Sequence, residues 1–130
     1  MKHYIVVAAI IQHEGKVLCV QRNTSKYDYI SYKWEFPGGK VEKDETKEDA
    51  IIREIREELS LEILVDSEFC TVEHKYPDFS LTMHSFLCKT EKMTLNLSEH
   101  IDYRWLDKAE LSSLDWAAAD LPIVEKLQKN

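Results

Sequence analysis

The chain has 130 residues, 44% of them hydrophobic, and a net charge of −7. That length and apolar share suit a single domain with its own core across residues 1–130. The acidic balance argues against a nucleic-acid partner, whose backbone needs a basic face to replace condensed counterions, but leaves room for a small phosphorylated ligand if a metal supplies the positive charge.

Residues 3–12 and 16–22 are β-rich runs separated by His13-Glu14-Gly15, short enough for an antiparallel hairpin. Tyr4 to Ile11, inside the first run, is too short to span a bilayer and lacks the flanks of a signal peptide, so it reads as a buried strand and no membrane role is expected. Asn23 to Lys33 is polar, carries Tyr27, Tyr29 and Tyr32 without a period, and reads as a mobile loop. Trp34-Glu35-Phe36 is a short strand that stops in a turn at Pro37-Gly38-Gly39, where proline lacks a donor and paired glycines permit positive φ. Thr46 with Asp49 resembles a capping box, and Ala50, Ile51, Ile55 and Leu59 recur at helical spacing to about Ser60. Residues 62–74 and 80–90 read as strands around Tyr76-Pro77-Asp78, and residues 101–106 as another. Asp107 is placed to cap a short helical piece, and a last helix runs from Leu121-Pro122 to about Gln128 behind Asp120. The order β-β-β-α-β-β-β-α predicts an α+β fold, an α/β sandwich in which helices cover a mixed sheet.

On the predicted helix, residues three and four apart are neighbours, so Glu54 faces both Glu57 and Glu58. Like charges at this spacing cost roughly a few tenths of a kcal/mol per pair, and no Lys or Arg is expected on that face to relieve them. Ile51, Ile55 and Leu59 form the neighbouring stripe, so one side of the helix is buried while the acidic side borders a cleft. Oxygen-only donors of this type suit Mg²⁺ or Mn²⁺, which bind through a few carboxylates, phosphate oxygens and water; the plainer alternative is a solvated acidic face. Gly38 and Gly39 put bare backbone just ahead of the helix, where it can approach a metal or phosphate. Glu45 stands eight residues before Arg53, and an ion pair between them would brace the loop against the helix. Cys19, Cys70 and Cys88 form no CxxC pair, which suggests neither a disulfide framework nor a zinc site and fits a reducing cytoplasm. The histidines His3, His13, His74, His84 and His100 have no ligand spacing and are expected on the surface or satisfied in the core.

Taken together, Gly39, then Glu45 after five residues, then Arg53-Glu54-Ile55-Arg56-Glu57-Glu58-Leu59-Ser60-Leu61 after seven more resembles the Nudix box. Ser60 alone departs from it, standing where the family has a helix-ending glycine. Val6 to Ile11, Gln21-Arg22, Trp34 to Glu42, Trp105 and Ala119-Asp120-Leu121-Pro122 extend the resemblance to the MutT-like branch, including bacterial CTP pyrophosphohydrolases. The resemblance implies a Nudix fold, with a mixed β-sheet flanked by helices, and a cytoplasmic enzyme that is a monomer or homodimer. It implies Mg²⁺, with Mn²⁺ able to substitute, bound by Glu54, Glu57, Glu58 and the Gly38 carbonyl, with Glu99 adding a carboxylate or serving as an ordinary loop residue. Arg53 and Glu45 would hold the loop beside Gly39. Glu54, with Arg53 and Glu57, forms the implied catalytic group, Glu54 as general base. Water would attack the β-phosphorus of a nucleoside triphosphate to give monophosphate and pyrophosphate.

The substrate contacts are more open. Arg22 either grips phosphate or lies exposed at a strand end. Trp34 and Glu35 fall in the implied substrate-binding set, although Trp34 and Phe36 could equally fill the core. Tyr76 either stacks on the base or belongs to the turn. Asp120 stands where cytidine-preferring relatives have Asp and 8-oxoguanine-specific ones have Asn, and it could also cap the last helix. A carboxylate can accept from the cytosine amino group or from guanine N1 and N2. The expectation is therefore a pyrophosphohydrolase for CTP, dCTP or a 5-modified dCTP. An 8-oxo-dGTP diphosphatase is the alternative enzyme, and a catalytically inactive nucleotide-binding regulatory module is the alternative of another class.

Overall fold

The sheet is organised by β1 (Lys2–His13), which pairs along both of its edges in this computed structural model of residues 1–129. Asn130, the last position of the expected 1–130 domain, lies outside the described residues. On one edge β6 (Phe79–Lys89) runs parallel to β1 in unbroken register from Lys2↔Phe79 to Gln12↔Lys89. The other edge is shared. β4 (Gly38–Lys40) lies antiparallel opposite Val6, Val7 and Ala8, and β2 (Lys16–Gln21) pairs antiparallel opposite Gln12 and His13. β2 also carries β3 (Trp34–Glu35) and β7 (Asp102–Asp107), and β6 carries β5 (Leu64–Lys75), completing a mixed sheet of seven strands.

Side chains alternate along a strand, so β1 feeds two cores. Ala8 and Ile10 pack with Phe36, Trp116 and the Ile123, Val124 and Leu127 stripe of α2 (Leu121–Lys129). Val7, Ala9 and Ile11 point the other way, onto Ala50, Ile51, Ile55 and Leu59 of α1 (Lys47–Leu59). Burying each large aliphatic side chain contributes about 1.5–3 kcal/mol, and the result is the expected sandwich with a helix on each face. Thr46 Oγ1 accepts from Asp49 N at 3.1 Å to start α1. At its other end Ser60 adopts the left-handed conformation, φ 54°, and its N–H donates to Arg56 O. Asp107 precedes a 3-10 turn, Lys108–Ser113, in which Glu110 Oε1 accepts from Asp107 N at 3.0 Å.

One expectation needs correction. The segment read as a turn at Pro37-Gly38-Gly39 contains strand β4, and neither glycine has positive φ. Close approach is what demands glycine: a Cβ on Gly38 would run into the Val7 carbonyl, and one on Gly39 into the Glu54 carboxylate. In the β1–β2 hairpin, by contrast, positive φ falls on both Glu14 (49°) and Gly15 (81°), as a two-residue hairpin turn requires. The stretch between β2 and β3 is a loop, as expected, and it makes contacts of its own. Ser31 Oγ accepts from Ser25 N at 2.8 Å, Arg22 N donates to Lys33 O at 2.9 Å, and the Tyr27 and Tyr29 rings stack at 5.4 Å.

Candidate active site

α1 presents Glu54, Glu57 and Glu58 away from its buried stripe, and β4 crosses directly in front of Glu54. Between them lies a cavity of about 570 Å³ lined by Gly39, Lys40, Glu54, Glu57, Glu58 and Glu99, among others. Glu99 arrives there through helix-end chemistry. The last carbonyls of a helix have no partner within it, and here Leu59 O accepts from Asn96 N at 3.0 Å while Glu58 O accepts from Ser98 N at 3.1 Å. The segment before β7 thus caps α1 and delivers a carboxylate to the acidic face.

Arg53 changes how that face is balanced. Its Nε and Nη2 hold both oxygens of Glu45, at 2.7 and 2.9 Å, and Nη2 also donates to Lys40 O at 3.2 Å. The expected Glu45–Arg53 brace is therefore present, and the guanidinium pulls the Glu45 carboxyl down to about 2. The same group reaches around the helix, with Nη1 2.9 Å from Glu54 Oε1 and 3.3 Å from Glu57 Oε2. The expectation that nothing relieves the acidic face is corrected: a long, forked cation from the neighbouring position does so.

Glu58 is less well provided for. Its Oε2 is buried without a hydrogen-bond partner, and burial first, then Glu54, Glu99 and Glu35, push its carboxyl well above the usual carboxylate range. An unmet buried acceptor of this kind costs about 1–3 kcal/mol. Among the described residues no three acidic, histidine or cysteine side chains already converge on one point. An orphaned carboxylate oxygen in a cavity lined by further carboxylates is nonetheless the donor set a hard divalent cation takes, so the residues fit such an ion.

A second cavity, about 440 Å³, shares Gly39 and Lys40 with the acidic one and is lined by Tyr27, Phe36, Tyr76, Phe79, Met83 and Asp120, among others. Tyr76 stacks on Tyr29 at 5.4 Å, and its hydroxyl accepts from Ala119 N at 3.0 Å. Asp120 is 5% exposed. Rather than capping α2, its Oδ1 crosses to accept from Phe36 N at 3.0 Å, while burial and then the Glu35 charge push its carboxyl well above the usual range. Of the two places open to it, Trp34 takes the core, beneath Arg104 and 5.2 Å from ring to guanidinium, and Phe36 takes the cavity wall.

Arg22, Glu35 and Gly38 line a smaller cleft of about 230 Å³ with Glu58, Glu99 and His100, so it borders both cavities. Arg22 Nη1 donates to Glu35 Oε1 at 3.2 Å, and His100 Nε2 lies 2.9 Å from Glu35 Oε2. His100 was legible only as the neighbour of Glu99; its place in the site was not foreseen. Thus the acidic helix face, Gly38, Gly39, Glu99, Arg22, Glu35, Tyr76 and Asp120 all line the connected cavities, Glu45 stands behind them on Arg53, and Trp34 lines none of them.

Residues 6–126 match the NUDIX domain family. The CTP pyrophosphohydrolase of Escherichia coli is 36% identical over 125 residues, 96% of this chain and 91% of that protein. The 8-oxo-dGTP diphosphatase of the same organism is 29% identical over 129 residues, 99% of each chain. The solution structure of the MutT Nudix hydrolase from methicillin-resistant Staphylococcus aureus has 42% sequence identity and a TM-score of 0.75, covering 99% of this chain and 98% of that one. The chain belongs to the Nudix hydrolase family. Within it the protein is a nucleotide diphosphatase, and Nudix hydrolases generally require a divalent metal. No helix among the described residues is long and apolar enough to cross a membrane.

Proposed function

We propose that this Nudix hydrolase cleaves a cytidine nucleotide, CTP, dCTP or a 5-modified dCTP, to the monophosphate and pyrophosphate with Mg²⁺. The observation that carries the base assignment is Asp120, a buried carboxyl beside the aromatic cavity with Oδ1 already anchored on Phe36 N. Burial favours the neutral form of this carboxyl, and in that form it would offer one donor and one acceptor, the complement of cytosine N3 and its amino group. The 36% identical CTP pyrophosphohydrolase supports the same base. Phe36 and Tyr76 offer flat apolar surface for the base, and Arg22 retains donors for phosphate because only its Nη1 is engaged by Glu35 among the described residues.

Mg²⁺, which Mn²⁺ can replace, would be held by Glu54, Glu57, Glu58 and the Gly38 carbonyl with Glu99 nearby, and would supply a more acidic bound water and screening of charge on the departing phosphates. The chain's own residues supply the remainder. Glu54, oriented by Arg53, takes the proton of the attacking water. The water oxygen bonds to the β-phosphorus, the bond from that phosphorus to the oxygen bridging the α-phosphate breaks, and pyrophosphate separates from the monophosphate.

A protonated Asp120 would also meet N1–H and O6 of 8-oxoguanine, so an 8-oxo-dGTP diphosphatase is the second reading, supported by the relative of that name. Steady-state rates on CTP, dCTP, 5-methyl-dCTP and 8-oxo-dGTP with Mg²⁺ separate the two. The expected result is the highest kcat/KM on a cytidine nucleotide; much faster cleavage of 8-oxo-dGTP than of every cytidine nucleotide would overturn the assignment.

A further inference from the structure

His100 is part of the site, yet it neither takes the water proton nor holds the metal. Its side chain is 6% exposed, Nε2 sits 2.9 Å from Glu35 Oε2, and Nδ1 is buried with no partner. The other oxygen of Glu35 is paired with Arg22, and because a carboxylate only accepts, Nε2–H is the donor to it. Nδ1 is then an unmet acceptor on a residue that lines the cleft between the two cavities. The backbone holds all three groups at one corner of the sheet. Val20 pairs with Glu35 across β2 and β3, Ile101 N donates to Gln21 O at 3.0 Å, and Arg22 N donates to Lys33 O at 2.9 Å.

A carboxylate gripped at both oxygens is held in one orientation, and its Oε1, 3.2 Å from Arg22 Nη1, gives one end of the guanidinium a fixed anchor while leaving the other donors free. Arg22 has a long side chain, 39% exposed, that would otherwise lose rotamer freedom only when substrate binds. We infer that His100 is a positioning residue: by holding Glu35 it fixes Arg22 over the cleft that joins the base cavity to the acidic pocket, so that the phosphates meet a preformed cation. This inference rests on the proposed role of Arg22 in gripping phosphate.

The test compares wild type, His100→Gln, His100→Asn, Arg22→Ala and the His100→Asn/Arg22→Ala double variant. Each is assayed with Mg²⁺ and the best triphosphate of the nucleotide panel, and thermal melts establish folding. A Gln amide reaches roughly as far as Nε2, whereas an Asn amide stops near Nδ1. His100→Asn is expected to raise KM about tenfold with kcat within about threefold, and His100→Gln to restore KM to within about threefold of wild type. The double variant should bind no worse than Arg22→Ala alone, and half-saturation by Mg²⁺ should not move. Equal losses in the Gln and Asn variants, an unchanged KM in His100→Asn, additive effects in the double variant, or a shifted Mg²⁺ requirement would each overturn the inference. If His100→Asn does not fold, His100→Leu replaces it with the same expectations. An unchanged KM in Arg22→Ala defeats the phosphate-gripping role itself, whereas a raised KM there with a silent His100→Asn defeats only the positioning by His100.

Discussion

The acidic pocket and the aromatic cavity share Gly39 and Lys40 but are built in different ways. The pocket takes Glu54, Glu57 and Glu58 from consecutive turns of one helix, whose buried stripe of Ile51, Ile55 and Leu59 sets the direction in which the acids face. The cavity draws Phe36, Tyr76, Phe79 and Asp120 from separate elements, joined by such long-range bonds as Asp120 to Phe36 N and Ala119 N to the Tyr76 hydroxyl. A site on one rigid helix supports one chemistry, whereas a wall assembled from several segments can change its base preference with single side chains. The reaction therefore follows from the family, while the base has to be argued from a few contacts.

Substitutions should separate the two regions, beginning with the largest effect. Glu57→Gln is expected to lower kcat about a hundredfold or more while leaving the melting temperature nearly unchanged, because this side chain is 61% exposed and packs no core; substantial residual turnover in steady-state assays would remove Glu57 from the chemistry. Asp120→Asn should alter the ratio of kcat/KM between CTP and 8-oxo-dGTP about tenfold without changing half-saturation by Mg²⁺; an altered metal requirement would show that the regions are not separable. Ser60→Gly is expected to stabilise the fold by about 0.5–1 kcal/mol in urea unfolding, since a non-glycine residue holds φ 54° there, and to leave kcat unaffected. The smallest effect concerns acid. Arg53 lowers the folded Glu45 carboxyl from its ordinary 4.5 to about 2, so this pair stabilises the fold above about pH 4.5 and the contribution is lost as pH falls toward 2. Glu45→Gln should therefore flatten the loss of stability across that window, seen by circular dichroism, and an unchanged acid limb would remove the brace from the account.

What could be read in advance follows the same division. Periodicity revealed α1 and its acids because spacing within a helix is local information. In the sequence β4 looks like a turn because adjacent glycines suggest free dihedrals, whereas their actual constraint is contact with Val7 and Glu54, which lie far away in sequence. The reach of Arg53 is not legible in the sequence, because helix spacing locates Cα atoms and not the end of a long guanidinium. Trp34 and Glu35 are neighbours on a two-residue strand and so point to opposite faces; which one faces the site depends on the partner strand, and the answer was Glu35. Asp120 and Tyr76 were reached through resemblance, and His100 had no signal beyond standing next to Glu99.

The central claim is that the acidic pocket directs water to the β-phosphorus, and hydrolysis of CTP in ¹⁸O-labelled water with Mg²⁺, followed by phosphorus NMR of the products, tests it most directly. Attack at the β-phosphorus gives CMP without label and pyrophosphate carrying one ¹⁸O; label in CMP, or release of CDP and orthophosphate, would rule it out.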